Sequence, residues 1–233
     1  RVAEATNELE KQRIDLTADY SKQLGANVLP KDGQTFTDRY VGQLKDAAGS
    51  IAMNLTPRQQ FLFNQQAQVM GTQFQSAVQQ HETQQLFGHS VNQWSEKIDL
   101  ANQVAAQSFR DPAALGAAQG NIDAAVANLA QLKGLDSDGQ KLLAERAHDQ
   151  FSTTVIGSFI NAHDVAGARA YYNTHLNEMS AETASKVDNA LREKEAVVQG
   201  TAAAQALWND KSLTLEQKTL KLQDMFKDNP EGM

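Results

Sequence analysis

The chain contains no cysteine. That excludes a disulfide framework and any thiolate metal site, and it fits a reducing interior or a virion. Among 233 residues there are only 4 prolines, and aromatic residues make up 6%. Alanine and glutamine fill the places where a compact enzyme carries bulky core residues. Few stretches are rich in β-branched residues, so the composition points to an all-α fold. No apolar run approaches the ~18 residues of a membrane span, and no signal peptide is visible. Lys and Arg number 21 against 28 Asp and Glu, a net charge of −7. This argues against wholesale neutralisation of a nucleic-acid backbone, though not against a local basic face. The chain starts at Arg1 rather than methionine and stops abruptly at Asn229–Met233, and it reads as a piece of a longer protein.

What is present is led by the stretch from Thr56 to Phe109. Thr56 is placed as an N-cap, Pro57 as the first helical residue and Gln59 as the capping-box partner. No further proline appears until Pro112. The stretch reads as one very long helix of roughly 80 Å, or two joined by a small defect, and a helix of that length implies partners along it. Its apolar seam runs Phe63, Ala67, Met70, Phe74, Ala77, then Phe87, Val91, Trp94, Ile98, Ala101, Ala105, with 3-4 spacing in each half. Between the halves, Gln79–Gln85 is polar and the phase slips, which predicts a stutter, a kink or a turn. Phe63, Met70, Phe74, Phe87, Trp94 and Ile98 are the candidate interface residues. Glutamine dominates the rest of the surface and packs against copies of itself without like-charge repulsion, although a solvated helix face explains it equally well.

Two helices precede this stretch. The first runs from Arg1 to about Leu24, with Val2, Ala5, Leu9, Leu16 and Tyr20 on one stripe and Gly25 closing it. A turn around Pro30 and Asp32-Gly33 leads to the second, from about Thr37 to Asn54, weakened at Gly49-Ser50. After it the pattern becomes short helical hairpins. Asp111-Pro112 starts a helix ended by Gly134, and Asp136 caps the next, to about Ala162. Asp164 starts another, and Ser180-Ala181-Glu182 caps one continuing to Trp208. Thr214-Leu215-Glu216-Gln217 opens the last, to Phe226. These units look like degenerate helix–turn–helix repeats akin to tetratricopeptide hairpins, without meeting the strict consensus. The expected architecture is therefore all-α, a long-helix oligomerisation region over 1–109 followed by an α-solenoid-like repeat region over 110–233.

No catalytic constellation is evident. His81-Glu82-Thr83-Gln84-Gln85 misses the zinc-protease helix motif, because Gln85 stands where the second histidine is needed. Glu145-Arg146-Ala147-His148 has the Glu-x-x-His spacing of di-iron bundles but no second copy. His89, His163 and His175 are scattered, without a serine or cysteine partner in a nucleophile motif. No metal or cofactor is expected. Lys186, Arg192, Lys194, Lys211, Lys218, Lys221 and Lys227 are the candidates for nucleic-acid contact, but acids interleave them. The glutamine-rich polar faces lack the Lys/Arg density of interfacial helices, which leaves membrane contact open.

From Phe151 to Leu191 the order of features is Val155-Ile156, Phe159-Ile160, Asp164-Val165-Ala166-Gly167-Ala168-Arg169-Ala170-Tyr171-Tyr172, Met179-Ser180-Ala181-Glu182 and Val187–Leu191. This resembles the helical region of large internal virion proteins of tailed bacteriophages, some of which carry a lytic transglycosylase domain elsewhere. The resemblance covers roughly residues 110 to 200. It implies a structural role: packaging inside the capsid, homo-oligomerisation with other core or portal proteins near the genomic DNA, and release to help form a conduit across the host envelope. The glutamate–serine and Gly-Leu-Met-Gln-like segments of a transglycosylase are missing, so no catalytic residue is carried over. The alternatives are a tetratricopeptide-like peptide-binding adaptor and the non-catalytic part of a peptidoglycan-degrading virion protein.

Overall fold

A computed structural model of the chain describes residues 1–225. Its elements are α1 (Val2–Tyr20), α2 (Phe36–Ala52), α3 (Pro57–Gln107), α4 (Pro112–Leu132), α5 (Ser137–Asn161), α6 (Val165–His175), α7 (Ala181–Asn209) and α8 (Leu215–Met225). Short 3-10 turns occur at Gly25–Val28 and Leu176–Glu178. The fold is all-α, with no strand among the described residues. The expected helix end at Phe226 and the candidate Lys227 lie outside those residues.

The chain divides into two units, Arg1–Gln93 and Trp94–Met233. The division falls earlier than the expected 109/110 boundary. The last turns of α3 bury Ala101 and Ala105 with Ile122 of α4 and Phe151 of α5, so they belong to the second core.

In the first unit, Leu9 of α1, Phe36, Tyr40 and Leu44 of α2, and Phe63, Phe74 and Val78 of α3 form one buried cluster. Tyr20 meets Tyr40 and Phe74 edge-on, each at 5.9 Å between ring centroids. Tyr40 donates its hydroxyl to Asp19 Oδ2 at 2.6 Å. Burial, then that carboxylate, pushes the Tyr40 phenol up to about 12. α1 ends at Tyr20, before the expected Leu24, and Gly25 at φ +56° opens the 3-10 turn that follows. Asp32 and Gly33 both take positive φ between the paired Lys31 and Gln34, the geometry of a primed two-residue turn. Gly49-Ser50 does not interrupt α2.

Local caps explain the helix starts in the second unit. Asp111 accepts from the N–H groups of Ala113 and Ala114, Asp136 from Gly139, Asp164 from Gly167, and Ser180 Oγ from Thr183, each satisfying donors the helix leaves open. Thr214 and Gln217 exchange bonds in a capping box. The stop of α4 is a Schellman motif: Leu135 N–H reaches the Ala130 carbonyl at 3.0 Å while Gly134 sits at φ +61°. α5 ends the same way with His163 in the left-handed position, at φ +58°, and Asp164 N–H bonded to the Phe159 carbonyl at 2.9 Å. Arg169 of α6 grips α7, its Nε 2.7 Å and Nη2 3.0 Å from the two carboxylate oxygens of Glu195, with Nη1 on Asp188. The guanidinium holds both carboxyls below their ordinary range. A second cluster (Ile122, Phe151, Val155) and a third (Ile156, Ala168, Leu191) complete this unit.

Candidate assembly interface

α3 starts where the chain turns out of α2. Thr56 N–H donates to Gln59 Oε1 at 3.1 Å. Gln60 Nε2 donates to the carbonyls of Ala52 and Leu55 at 2.9 and 3.1 Å, tying the two helices together. The helix then continues for 51 residues without a turn.

The inward seam of its first part is Phe63, Ala67, Met70, Phe74 and Val78. Ala77, expected on the seam, is exposed, and Val78 is fully buried. This step of four instead of three carries the seam onto polar residues. His81 Nε2 lies 2.8 Å from the Gln23 carbonyl, and Gln85 Oε1 accepts from Gly25 N–H at 3.0 Å. Glu82, buried at 9% exposure, accepts the N–H groups of Phe36 and Thr37, each at 3.1 Å. The polar segment Gln79–Gln85 is thus a stutter inside an unbroken helix, whose inward members hold the loop after α1 and the start of α2.

The six candidate interface residues separate accordingly. Phe63 and Phe74 are 0% and 1% exposed; they bind α3 to α1 and α2 and have no surface to offer a partner. Met70 is half-buried against the same cluster, and Ile98 packs against the second core. Trp94 is half-buried, with Lys97 Nζ 3.9 Å from its ring centroid. Phe87 alone of the six is open, at 46%.

Phe87 belongs to a second stripe, which flanks the inward seam beside α1 at Leu62–Gln73 and, past the step at Val78, comes round to the far side of α3. Leu62, Val69, Ser76 and Thr83 recur at steps of seven and alternate with Gln66, Gln73, Gln80 and Phe87. All eight are solvent-exposed, Leu62 at 47% and Val69 at 60%. The alternation of three and four is a heptad seam, and it faces solvent. From Gln59 to Ser95 the only formally charged residue is Glu82, which is buried, so the exposed surface of this stretch is charge-free. One edge is bordered by α1, where Thr6 donates to Gln66 Oε1 and Arg13 pairs with Glu10. The stripe was legible as a second 3-4 period one position before the inward seam at Phe63; attention to the buried period alone hides it.

Several of the remaining candidates are engaged locally. His148 Nε2 contacts Asp123 at 2.6 Å rather than Glu145. Lys186 pairs with Glu182, Arg192 with Asp188, and Lys218 donates to the Trp208 carbonyl. No group of three or more His, Asp or Glu among the described residues could hold a metal ion. In the second unit, Phe109, Leu115, Phe159 and Tyr171 line a cavity of about 420 Å³ with Arg110, Gln119 and His175 at its polar positions. Burial pushes the Tyr171 hydroxyl there up to about 12. Among the described residues no helix is long and apolar enough to cross a membrane. No family model, curated protein or solved structure matches the chain.

Proposed function

We propose that this chain is a non-enzymatic assembly subunit of a phage internal core or ejection apparatus, which oligomerises inside the virion and helps deliver the genome across the host envelope. The observation that carries the assembly part of the reading is the charge-free, apolar-bearing outer face of α3: Phe61, Leu62, Val69 and Phe87 stand 65%, 47%, 60% and 46% exposed on a helix stretch with no surface charge. Large apolar side chains grouped on such a face mark protein contact. The phage context comes from the resemblance at residues 110 to 200. Its partners are further copies and other core or portal proteins, with genomic DNA nearby but no sequence-specific contact. Mass spectrometry of purified virions tests the reading. Detection of this chain at a multi-copy level is expected, and its absence overturns the proposal.

The cavity lined by Phe109, Phe159 and Tyr171 favours a second reading, a tetratricopeptide-like adaptor whose helical hairpins hold an apolar peptide side chain. A peptide array probed with the full chain distinguishes it: sequence-selective binding supports an adaptor, and no binder sets it aside.

A further inference from the structure

We infer that the partner on the outer face of α3 is the α3 of a second copy, paired antiparallel with Leu62 against Phe87; the inference rests on the assembly reading above. Antiparallel heptad seams pack each layer of one helix against the alternate layer of the other. On this stripe a single register does so throughout: Leu62 meets Phe87, Val69 meets Gln80 and Gln73 meets Ser76, with the two-fold axis between Phe74 and Gln75. Every facing pair is uncharged, and both ends of the stripe close apolar on apolar.

Two features select a second copy. The chain carries −7, so two copies repel over most of their surfaces, and the longest stretch of sequence without an exposed charge is this one. Glutamine also carries both a donor and an acceptor, so a glutamine-lined face satisfies its own copy, and a self-complementary face closes as a two-fold dimer. Two further features select the antiparallel direction. A parallel pair sets Arg58 beside its own copy and aligns the helix dipoles, whereas the antiparallel pair separates both.

The absence of native cysteine makes the pairing directly readable. Leu62→Cys, Phe87→Cys and the double variant are prepared in the full chain, oxidised, and resolved on a non-reducing gel, with circular dichroism confirming helicity and light scattering reporting the mass of the unmodified chain. Residues 62 and 87 of one helix are about 37 Å apart, far beyond disulfide reach, so a bond between them joins two chains. The double variant is expected to lock as a covalent dimer and neither single variant to do so. A dimer from Leu62→Cys alone overturns the antiparallel direction. An oligomer in light scattering that the double variant fails to lock shows that copies meet elsewhere, which overturns this pairing and leaves the assembly reading standing. A monomer without cross-link also overturns the pairing, and the virion measurement then decides the assembly reading separately.

Discussion

Thr37 donates its backbone N–H to Glu82 Oε2 at 3.1 Å, and its hydroxyl to the same oxygen. Phe36 N–H takes Oε1 at 3.1 Å. Together with Thr35 Oγ1 on Asp38 N–H at 3.0 Å and Asp38 Oδ2 on Thr35 N–H at 3.4 Å, all four donors that open α2 are satisfied. Half of them are satisfied from another helix, and the negative carboxylate stands where the helix dipole favours it.

Glu82→Gln keeps the shape but leaves one acceptor oxygen for three donors and turns an amide N–H₂ toward the rest. With hydrogen bonds to a charged group worth about 1.5–3 kcal/mol and an unsatisfied buried donor costing a similar amount, we expect a loss of about 3 kcal/mol. Denaturant unfolding of the variant against the parent measures it, and a change under about 0.5 kcal/mol rules the anchor out.

Asp149 of α5 does for α7 what Glu82 does for α2. It accepts from Ser180 N–H and Thr183 Oγ1, each at 2.8 Å, and from Ser180 Oγ. Burial pushes this carboxyl up, but the bonds from Ser180 and Thr183 outweigh it and leave it below its ordinary 3.8. A carboxyl depressed by folding contributes stability that is present above its unfolded value and lost as pH falls through the folded one. The second unit should therefore lose stability progressively as pH drops from about 4. Asp149→Asn should flatten part of that slope, read from unfolding midpoints between pH 5 and 2. An unchanged slope would remove Asp149 from the acid response.

The helices and most of their starts were legible because the signals are local: Asp111, Asp136, Asp164, Ser180 and Thr214 each bond donors within three residues. The roles of Glu82 and Asp149 were not legible, since each depends on a helix start 31 to 46 positions away. The same non-local effect hid the true path of the inward seam. A step of three from Phe74 reaches Ala77 and a step of four reaches Val78, and only packing against α1 and α2 decides between them. With Ala77 on the seam, Gln79–Gln85 reads as a break and Phe87 falls inside, although Phe87 stands 46% exposed on the outer stripe.

His163 holds the left-handed position that ends α5, at φ +58°. A side chain there costs about 1–2 kcal/mol relative to glycine, part of which glycine gives back through a freer unfolded chain. His163→Gly should then stabilise the protein by about 0.5–1 kcal/mol, seen as a higher melting temperature. A lower one would mean that the imidazole makes a contact worth more than the strain.

Phe74 and Phe87 separate folding from association. Phe74 is 1% exposed in the first cluster and Phe87 46% exposed on the outer stripe. Phe74→Ala should cost about 3–5 kcal/mol through lost burial and the cavity left behind. Phe87→Ala should leave the unfolding free energy of the dissociated chain within about 0.5 kcal/mol and weaken self-association instead. Denaturation at low protein concentration reads the first effect and sedimentation equilibrium the second. Equal destabilisation by both would put Phe87 in the core.

Val69 offers a test by charge. It is 60% exposed, so Val69→Glu leaves folding nearly untouched but puts a carboxylate into each half of the antiparallel pair, facing the amide of Gln80. Desolvating that charge against an uncharged amide should weaken the dimer. Adding Gln80→Lys supplies an opposite charge at both contacts and should restore it, because each Glu at 69 then faces a Lys from the other copy. The pair also lies eleven positions apart along the helix, about 16 Å, too far for an internal ion pair to mimic the rescue. Sedimentation of the parent, single and double variants at equal concentration and ionic strength reads the order directly. Rescue by lysine at 80 fixes the register as well as the face, since a parallel pair would set Glu at 69 against its own copy and gain nothing from the second substitution.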